Sequence, residues 1–402
     1  MLRSAFYKYG GHMSTVDLIA TATFGLEAIV AREVKELGYS DVRVENSRVL
    51  FKADLEAIPR CNLWLRSADR VLIKVGEFQA LTYEELFEGT KALPWAEWLP
   101  EDALFPVEGK SVHSKLYSVP DCQAIVKKAI VEKLKQRYHQ QWFTETGPKY
   151  TIEVALLKDR ATLTIDTSGA GLHKRGYRKL TSQAPLKETL AAAMINLSYW
   201  NPDRVLVDPF CGSGTIPIEA ALIGLNIPPG LRRDFVSETW PQLPAVFWRN
   251  ARDEGNDSIR RDVKLRIVGT DIDEAVLSMA RYHRKLAGLD DQIHLQRMPV
   301  SELRNSNKYG CLICNPPYGE RLGEVQQIKR LYQELREAVA PLDTWSVYVL
   351  TAFPDFEQVY GKRADRKRKL YNGRIECQFY QYFGPRPPRR ELRETVMEES
   401  LP

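Results

Sequence analysis

Apolar positions along this chain keep two different rhythms. Through residues 16–166, short alternating runs and single helices follow one another irregularly. From residue 203 onward, compact apolar runs and helical stretches alternate strictly. In the first part, residues 17–23 read as an apolar strand. Residues 25–38 carry apolar side chains at 26, 29, 30, 34 and 37, a helical period closed by Gly38. Residues 42–52 alternate as one half-buried strand. Residues 71–79 predict a further strand, and 82–91 a helix with Thr82 as N-cap and Glu85 three residues later. A periodic helix covers 121–138, and 151–157 pairs with 161–166 as a hairpin. Two small α+β units are expected, over 14–70 and 71–168.

In the second part, an apolar helix over 187–199 leads into strands at 205–207, 266–269, 292–296, 310–314 and 346–351. Helices over 216–225, 274–287 and 328–340 lie between them. Such alternation predicts an α/β fold, a Rossmann-like doubly wound sheet over 201–385, with ligands at the carboxyl ends of its strands. Residues 169–200 then form a linker and leading helix. Residues 1–13 read as a leader or tag, with Met13 a candidate natural start, and 386–402 as a charged tail. Residues 226–262, rich in Pro, Trp and Arg, form an insertion expected to cover part of the site.

Composition fits a globular chain of two or three domains, 44% hydrophobic and 27% charged over 402 residues. No run of eighteen apolar residues predicts a membrane span, and no signal-peptide core is present. The formal net charge of +5 is mild, but its distribution is not. Six of the eight residues 362–369 are Lys or Arg, a footprint suited to phosphate backbones, with a solvated face as the plain alternative. Arg366, Lys367 and Arg368 are therefore nucleic-acid candidates. Lys115 joins them, in the loop before helix 121–138, with Lys127 and Lys128 on that helix. So do Lys174, Arg175 and Arg178 of Gly171-Leu-His-Lys-Arg-Gly-Tyr-Arg178, which reads equally as a plain interdomain loop. Six scattered cysteines indicate reduced, cytoplasmic thiols. Cys311 and Cys314 have zinc-like spacing but no second pair, and the histidines show no ligand spacing, so no metal is expected.

Two motifs carry chemistry. Asp208-Pro-Phe-Cys-Gly-Ser-Gly-Thr215 joins a strand to a helix. Gly212 and Gly214 remove side chains where a ligand approaches the backbone, and the helix N-terminus offers free N–H groups. Asp208 at its start suits the ammonium of a methionine-like moiety and would repel a diphosphate. Phe210 and Thr215 share the turn. One strand later, Gly269-Thr-Asp-Ile-Asp273 places Asp271 at a strand tip, where an acid accepts from ribose hydroxyls. Asp273 serves either there or as a helix cap. Glu302, after the third strand, is the candidate acceptor for an adenine amino group, or a surface residue.

The second motif is Asn315-Pro-Pro-Tyr318, after the fourth strand. The Asn315 side-chain oxygen and the Pro316 carbonyl can both accept from one planar amino group. Aryl amines are poor nucleophiles because the lone pair conjugates into the ring. Two acceptors draw the nitrogen toward tetrahedral geometry. Tyr318 can stack on an extruded base.

Asp208–Thr215, Asp271 and Asn315-Pro-Pro-Tyr318 resemble motifs of class I S-adenosylmethionine-dependent amino-methyltransferases. Ser114-Lys-Leu-Tyr-Ser118, Asp121-Cys-Gln123 and Ala129-Ile-Val-Glu-Lys133 resemble a THUMP domain. Leu172-His-Lys-Arg-Gly-Tyr-Arg178, Ala184-Pro-Leu-Lys-Glu-Thr-Leu190 and Lys369-Leu-Tyr-Asn-Gly-Arg-Ile-Glu-Cys377 resemble the RlmL-like guanine-N2 methyltransferases of 23S ribosomal RNA, often labelled N6-adenine DNA methylases. The resemblance covers nearly the whole chain from about residue 14. It implies a ferredoxin-like part, then THUMP, then the catalytic domain. It also implies S-adenosylmethionine as cofactor, transfer to guanosine N2, and a partner that is 23S RNA or a large-subunit assembly intermediate. By that resemblance Asp208, Gly212 and Gly214 line the donor pocket and Asp271 holds the ribose. Asn315, Pro316 and Tyr318 hold the base. Glu302 stands where the family commonly has an aspartate.

Two other readings remain open from sequence. The same tetrapeptide serves adenine-N6 DNA methyltransferases, which would not be expected to carry a THUMP-like segment. A noncatalytic RNA-binding assembly factor would have no need of Asn315 and both pocket glycines.

Overall fold

The structure, a computed structural model, describes residues 15–180, 186–318 and 325–388. The expected leader, Met13 and most of the charged tail lie outside the described residues.

Strands β1 (Val16–Ala22), β2 (Val42–Glu45), β3 (Arg48–Ala53), β4 (Ala68–Gln79), β5 (Val107–Val112), β6 (Ile152–Leu157) and β7 (Arg160–Asp166) form one sheet, in the order β2-β3-β1-β4-β7-β6-β5. The long β4 pairs with β1 on one side and β7 on the other, so the two expected α+β units share a continuous sheet. The single strand expected over 42–52 is a hairpin. The apolar phase changes at Asn46-Ser47, Ser47 adopts φ 60°, and Glu45 pairs with Arg48 across the turn. Helices α1 (Glu27–Glu36), α2 (Ala57–Trp64), α3 (Tyr83–Ala92), α4 (Trp95–Trp98) and α5 (Val119–Tyr138) accompany this sheet. The Thr82–Glu85 capping box forms at α3 as the sequence predicts. Lys158 and Asp159 both take positive φ, which fits the two-residue turn between β6 and β7.

The second sheet contains β8 (Leu206–Asp208), β9 (Ile267–Asp271), β10 (Ile293–Arg297), β11 (Cys311–Cys314), β12 (Ser346–Thr351), β13 (Arg366–Asn372) and β14 (Ile375–Tyr382). Its order is β10-β9-β8-β11-β12-β14-β13. The first five are parallel, and the β13–β14 hairpin closes the edge antiparallel to β12. Helices α6 (Glu188–Asn196), α7 (Thr215–Gly224), α8 (Ala245–Asp257), α9 (Glu274–Ala287), α10 (Val325–Val339) and α11 (Phe356–Tyr360) complete the described α-helices. Strand order reverses between β8 and β11. That switch point leaves a crevice at the carboxyl ends of those two strands.

The insertion packs on the first sheet. Of residues 226–262, the apolar side chains Phe235, Trp240, Leu243, Trp248 and Ala251 belong to that sheet's core. Trp240 stacks on Tyr150 with centroids 4.3 Å apart, and its indole N–H donates to the Lys149 carbonyl. Arg60 donates twice to Glu254, at 2.8 and 2.7 Å. The Pro/Trp/Arg richness is thus the composition of an interface holding the two sheets together.

Candidate active site

The two motifs of the sequence flank the switch point. Asp208 ends β8, and Asn315 follows directly on β11, the neighbouring strand. Asp271 ends β9 on the other side of β8. Three chemistry-bearing groups therefore meet at one sheet edge because of strand order.

The glycine turn is held from two directions. Asp271 accepts from the Gly212 N–H at 2.9 Å through Oδ2, and from the Asp273 N–H at 3.1 Å through Oδ1. The Cys211 N–H donates to the Thr270 carbonyl. Gly212 has φ 51°, and a Cβ built there meets nothing within 4 Å, so the turn borders open space. Gly214, with φ 85°, serves packing: its missing side chain lets the start of α7 lie against Ala280 of α9, which an added Cβ would approach to 3.1 Å. Asp273 caps α9 by accepting from the Ala275 N–H, the structural one of its two readings.

Asp208 is 1% exposed, and burial pushes its carboxyl well above the usual range. It accepts from the Phe210 N–H and faces no cation among the described residues. Burying an unpaired carboxylate is costly, and a cationic ligand group would offset that cost. Asp271 is also raised by burial, less completely. These residues fit S-adenosylmethionine: Asp208 suits the amino-acid end, Asp271 the ribose, and the bare Gly212 backbone the chain between. Phe210 packs its ring on the core below. Glu302 is exposed in the short turn Val300–Glu302 after β10, at the same edge; its N–H donates to the Pro299 carbonyl, and its carboxylate has no hydrogen-bond partner among the described residues.

In the second motif, the Tyr318 hydroxyl donates to Asn315 Oδ1. Its ring packs on the core of the second sheet, and burial, then neighbouring Cys377, raises its hydroxyl pKa. Tyr332 of α10 donates to the Pro317 carbonyl at 2.9 Å and lies 2.8 Å from the Thr351 hydroxyl. Sequence reasoning did not single out Tyr332 or Thr351 as supports. Thr351, at a strand tip on the functional edge, carried the one readable signal. His283 was also missed: its Nε2 accepts from the Leu180 N–H and its Nδ1 then donates to the Ser213 carbonyl, tying linker to glycine turn.

Several cations expected to touch RNA turn out to be internal. Arg175 is corrected: it is 3% exposed and bound to Glu219 of α7, because five donors need acceptors once the linker is buried between the sheets. Arg178 likewise turns inward, donating to the Thr215 hydroxyl and the Leu186 carbonyl and pairing with Glu188. That leaves the Thr215 hydroxyl engaged by the linker. Lys127 lies over the Phe105 ring and pairs with Glu145 at 2.6 Å. Lys367 pairs with Glu357 across the edge of the second sheet. Lys115, Lys128, Lys174 and Arg366 are exposed, and Arg368 is half-buried near Glu27. All six cysteines are buried and free; burial lifts the Cys311 thiol to about 12.

A switch-point crevice with a glycine turn, a strand-tip acid and an Asn-Pro-Pro-Tyr loop defines a class I S-adenosylmethionine-dependent methyltransferase. Comparison with known proteins specifies it. The RMKL-like methyltransferase domain matches residues 175–381, the RlmL ferredoxin-like domain 17–72 and the THUMP domain 80–166. The chain belongs to the RMKL-like methyltransferase family. It is 51% identical to YpsC of Bacillus subtilis (strain 168), named as a candidate RNA methyltransferase, over 96% of this chain and 100% of that one. It is 35% identical to the ribosomal RNA large subunit methyltransferase K/L of Syntrophotalea carbinolica over 94% of this chain, which spans 56% of that protein's length. The crystal structure of SMU.472, named as a candidate methyltransferase and solved with S-adenosylhomocysteine, is 48% identical, with a TM-score of 0.89 over 93% of this chain and 99% of that one.

Proposed function

We propose that this chain methylates the exocyclic N2 of a guanosine in RNA, with 23S ribosomal RNA or a large-subunit assembly intermediate in the cytoplasm as substrate. The observation that carries the reading is Asn315, whose amide follows β11 directly across the switch point from the open Gly212 turn. Bound there, S-adenosylmethionine supplies a methyl group on a sulfonium leaving group. Asp208 holds the ammonium, Asp271 the ribose, and Glu302 the adenine amino group. Asn315 Oδ1 and the Pro316 carbonyl accept the two N–H bonds of the base, freeing the nitrogen lone pair for in-line attack. After transfer the nitrogen carries a positive charge and returns to neutral by losing one proton to bulk water, since neither amide oxygen is basic enough to keep it. Tyr318 fixes the amide through its hydroxyl and offers its ring to the base. The THUMP match, the names of the relatives and the exposed Lys115, Lys128, Lys174 and Arg366 support RNA as the polymer.

The test is mass spectrometry of 23S RNA nucleosides from a deletion strain complemented with wild type or Asn315→Ala. N2-methylguanosine lost in the deletion and restored only by wild type is the expected result. Methylation of duplex DNA but not of ribosomal RNA would reverse the choice of substrate.

A further inference from the structure

The ferredoxin-like part reaches the rim of the methyltransferase site. The loop between β1 and α1 lies on the main chain of β13: a Cβ on Gly25, φ 92°, would stand 2.8 Å from the Lys369 carbonyl oxygen. Only glycine permits that approach. The loop is locked, because Glu27 accepts from the Gly25 N–H at 2.9 Å and the Ser47 N–H at 3.0 Å. Leu26 and Ile29 then sink into the core under the second sheet. What remains outside is Phe24, 50% exposed, edge-on to Tyr371 with centroids 6.0 Å apart and planes at 77°.

Tyr371 stands at the tip of the β13–β14 hairpin. Thr351, the last residue of β12, pairs with Gln378, so this tip projects from the same edge as Asp208, Asp271 and Asn315. The next residue, Asn372, lies beside the Tyr318 hydroxyl, which donates to Asn315. Lys369 lies 5.8 Å from the Tyr371 ring centre, its charge shared with Glu376, and Arg374 on the turn is exposed with no ion pair or hydrogen bond among the described residues.

We propose that Phe24 and Tyr371 form a two-ring corner that stacks a nucleotide flanking the target base, with Arg374 on the adjoining phosphate. The occupant is single-stranded RNA, and the inference rests on the RNA reading above. Perpendicular rings let a base lie on one face while its edge meets the other. A rigid exposed ring beside a cation is the stacking platform that single strands use. The N-terminal part thereby helps position the substrate directly, in addition to carrying the THUMP domain.

The experiment uses the full chain and a 23S RNA transcript. Phe24→Ala should raise the RNA KM about 5- to 100-fold, the range for losing one stacked base, with S-adenosylmethionine affinity and Tm unchanged. Phe24→Trp should restore it. An unchanged KM, or equal damage from Ala and Trp with a fallen Tm, overturns the proposal. Photo-crosslinking of a 5-iodouridine-substituted transcript gives an arm independent of turnover. Adducts on the peptides carrying Phe24 or Tyr371 support the corner even if guanosine N2 is not the methylated atom, and their absence despite adducts elsewhere on the chain refutes it.

Discussion

Arg175 and Glu219 meet at 3.3 Å with side chains 2% and 0% exposed, joining the linker to the helix that starts at the glycine turn. Tyr177 adds a hydrogen bond to the same carboxylate at 3.1 Å. Removing one partner leaves a buried charge, so Glu219→Leu or Arg175→Met alone should cost about 3–5 kcal/mol. The double variant should cost less than either single change, because both desolvation penalties disappear together. Urea unfolding at neutral pH checks this; additive losses would show that the pair carries no coupling.

This pair also shows where sequence reading ended. Arg175 and Arg178 looked like surface cations because their partners lie elsewhere in the chain. Glu219 stands in a helix that reads as uniformly apolar, and nothing local marks it as a receptor. Asp208–Thr215 was legible because strand, glycine turn and helix are consecutive. Asn315-Pro-Pro-Tyr318 was legible because its chemistry is contained in four residues. That β11 sits beside β8 is a non-local choice, known here only from the strand order. The destination of Trp240 and Trp248 was illegible for the same reason: aromatic richness marks burial, not the surface it is buried against.

Glu188 gives a pH dependence with a definite sign. Its carboxyl is pushed to about 7, burial outweighing the nearby Arg178, against 4.5 in the free side chain. Between those values the folded chain holds a proton that the unfolded chain has lost. Stability from this group therefore falls as pH rises from about 4.5 to 7 and is flat above, by roughly 3 kcal/mol in all. Glu188→Gln should flatten that slope and gain on wild type as pH rises. Urea unfolding at pH 5 and pH 8 on both proteins measures it; identical slopes would assign the titration elsewhere.

If Asp208 receives the cofactor's ammonium as proposed, binding is coupled to a proton. Burial with no cation facing it among the described residues pushes its carboxyl well above the usual range, and an arriving ammonium would favour the carboxylate. Binding of S-adenosylmethionine at pH 7 should release a proton, seen as a dependence of the calorimetric heat on buffer ionisation enthalpy. Asp208→Asn should abolish that dependence and weaken binding about tenfold or more, the loss expected when a charge-assisted hydrogen bond becomes a neutral one. A buffer-independent heat in wild type would place the ammonium elsewhere.

Asn315 and Tyr318 separate chemistry from orientation. Under the proposed mechanism, Asn315→Ala removes an acceptor that the target amine needs only while its nitrogen becomes tetrahedral, so the loss should fall on kcat. Two to three orders of magnitude is the scale for deleting one such preorganised group. Tyr318→Phe keeps the ring but frees the Asn315 amide to rotate. It should cost only about 3- to 10-fold in kcat, the value of one neutral hydrogen bond. Tyr318→Ala also removes the ring, so the RNA KM should rise as kcat falls. Single-turnover rates with saturating RNA and labelled cofactor distinguish the three variants. Equal loss in Tyr318→Phe and Asn315→Ala would move the hydroxyl from an orienting role into the chemistry itself.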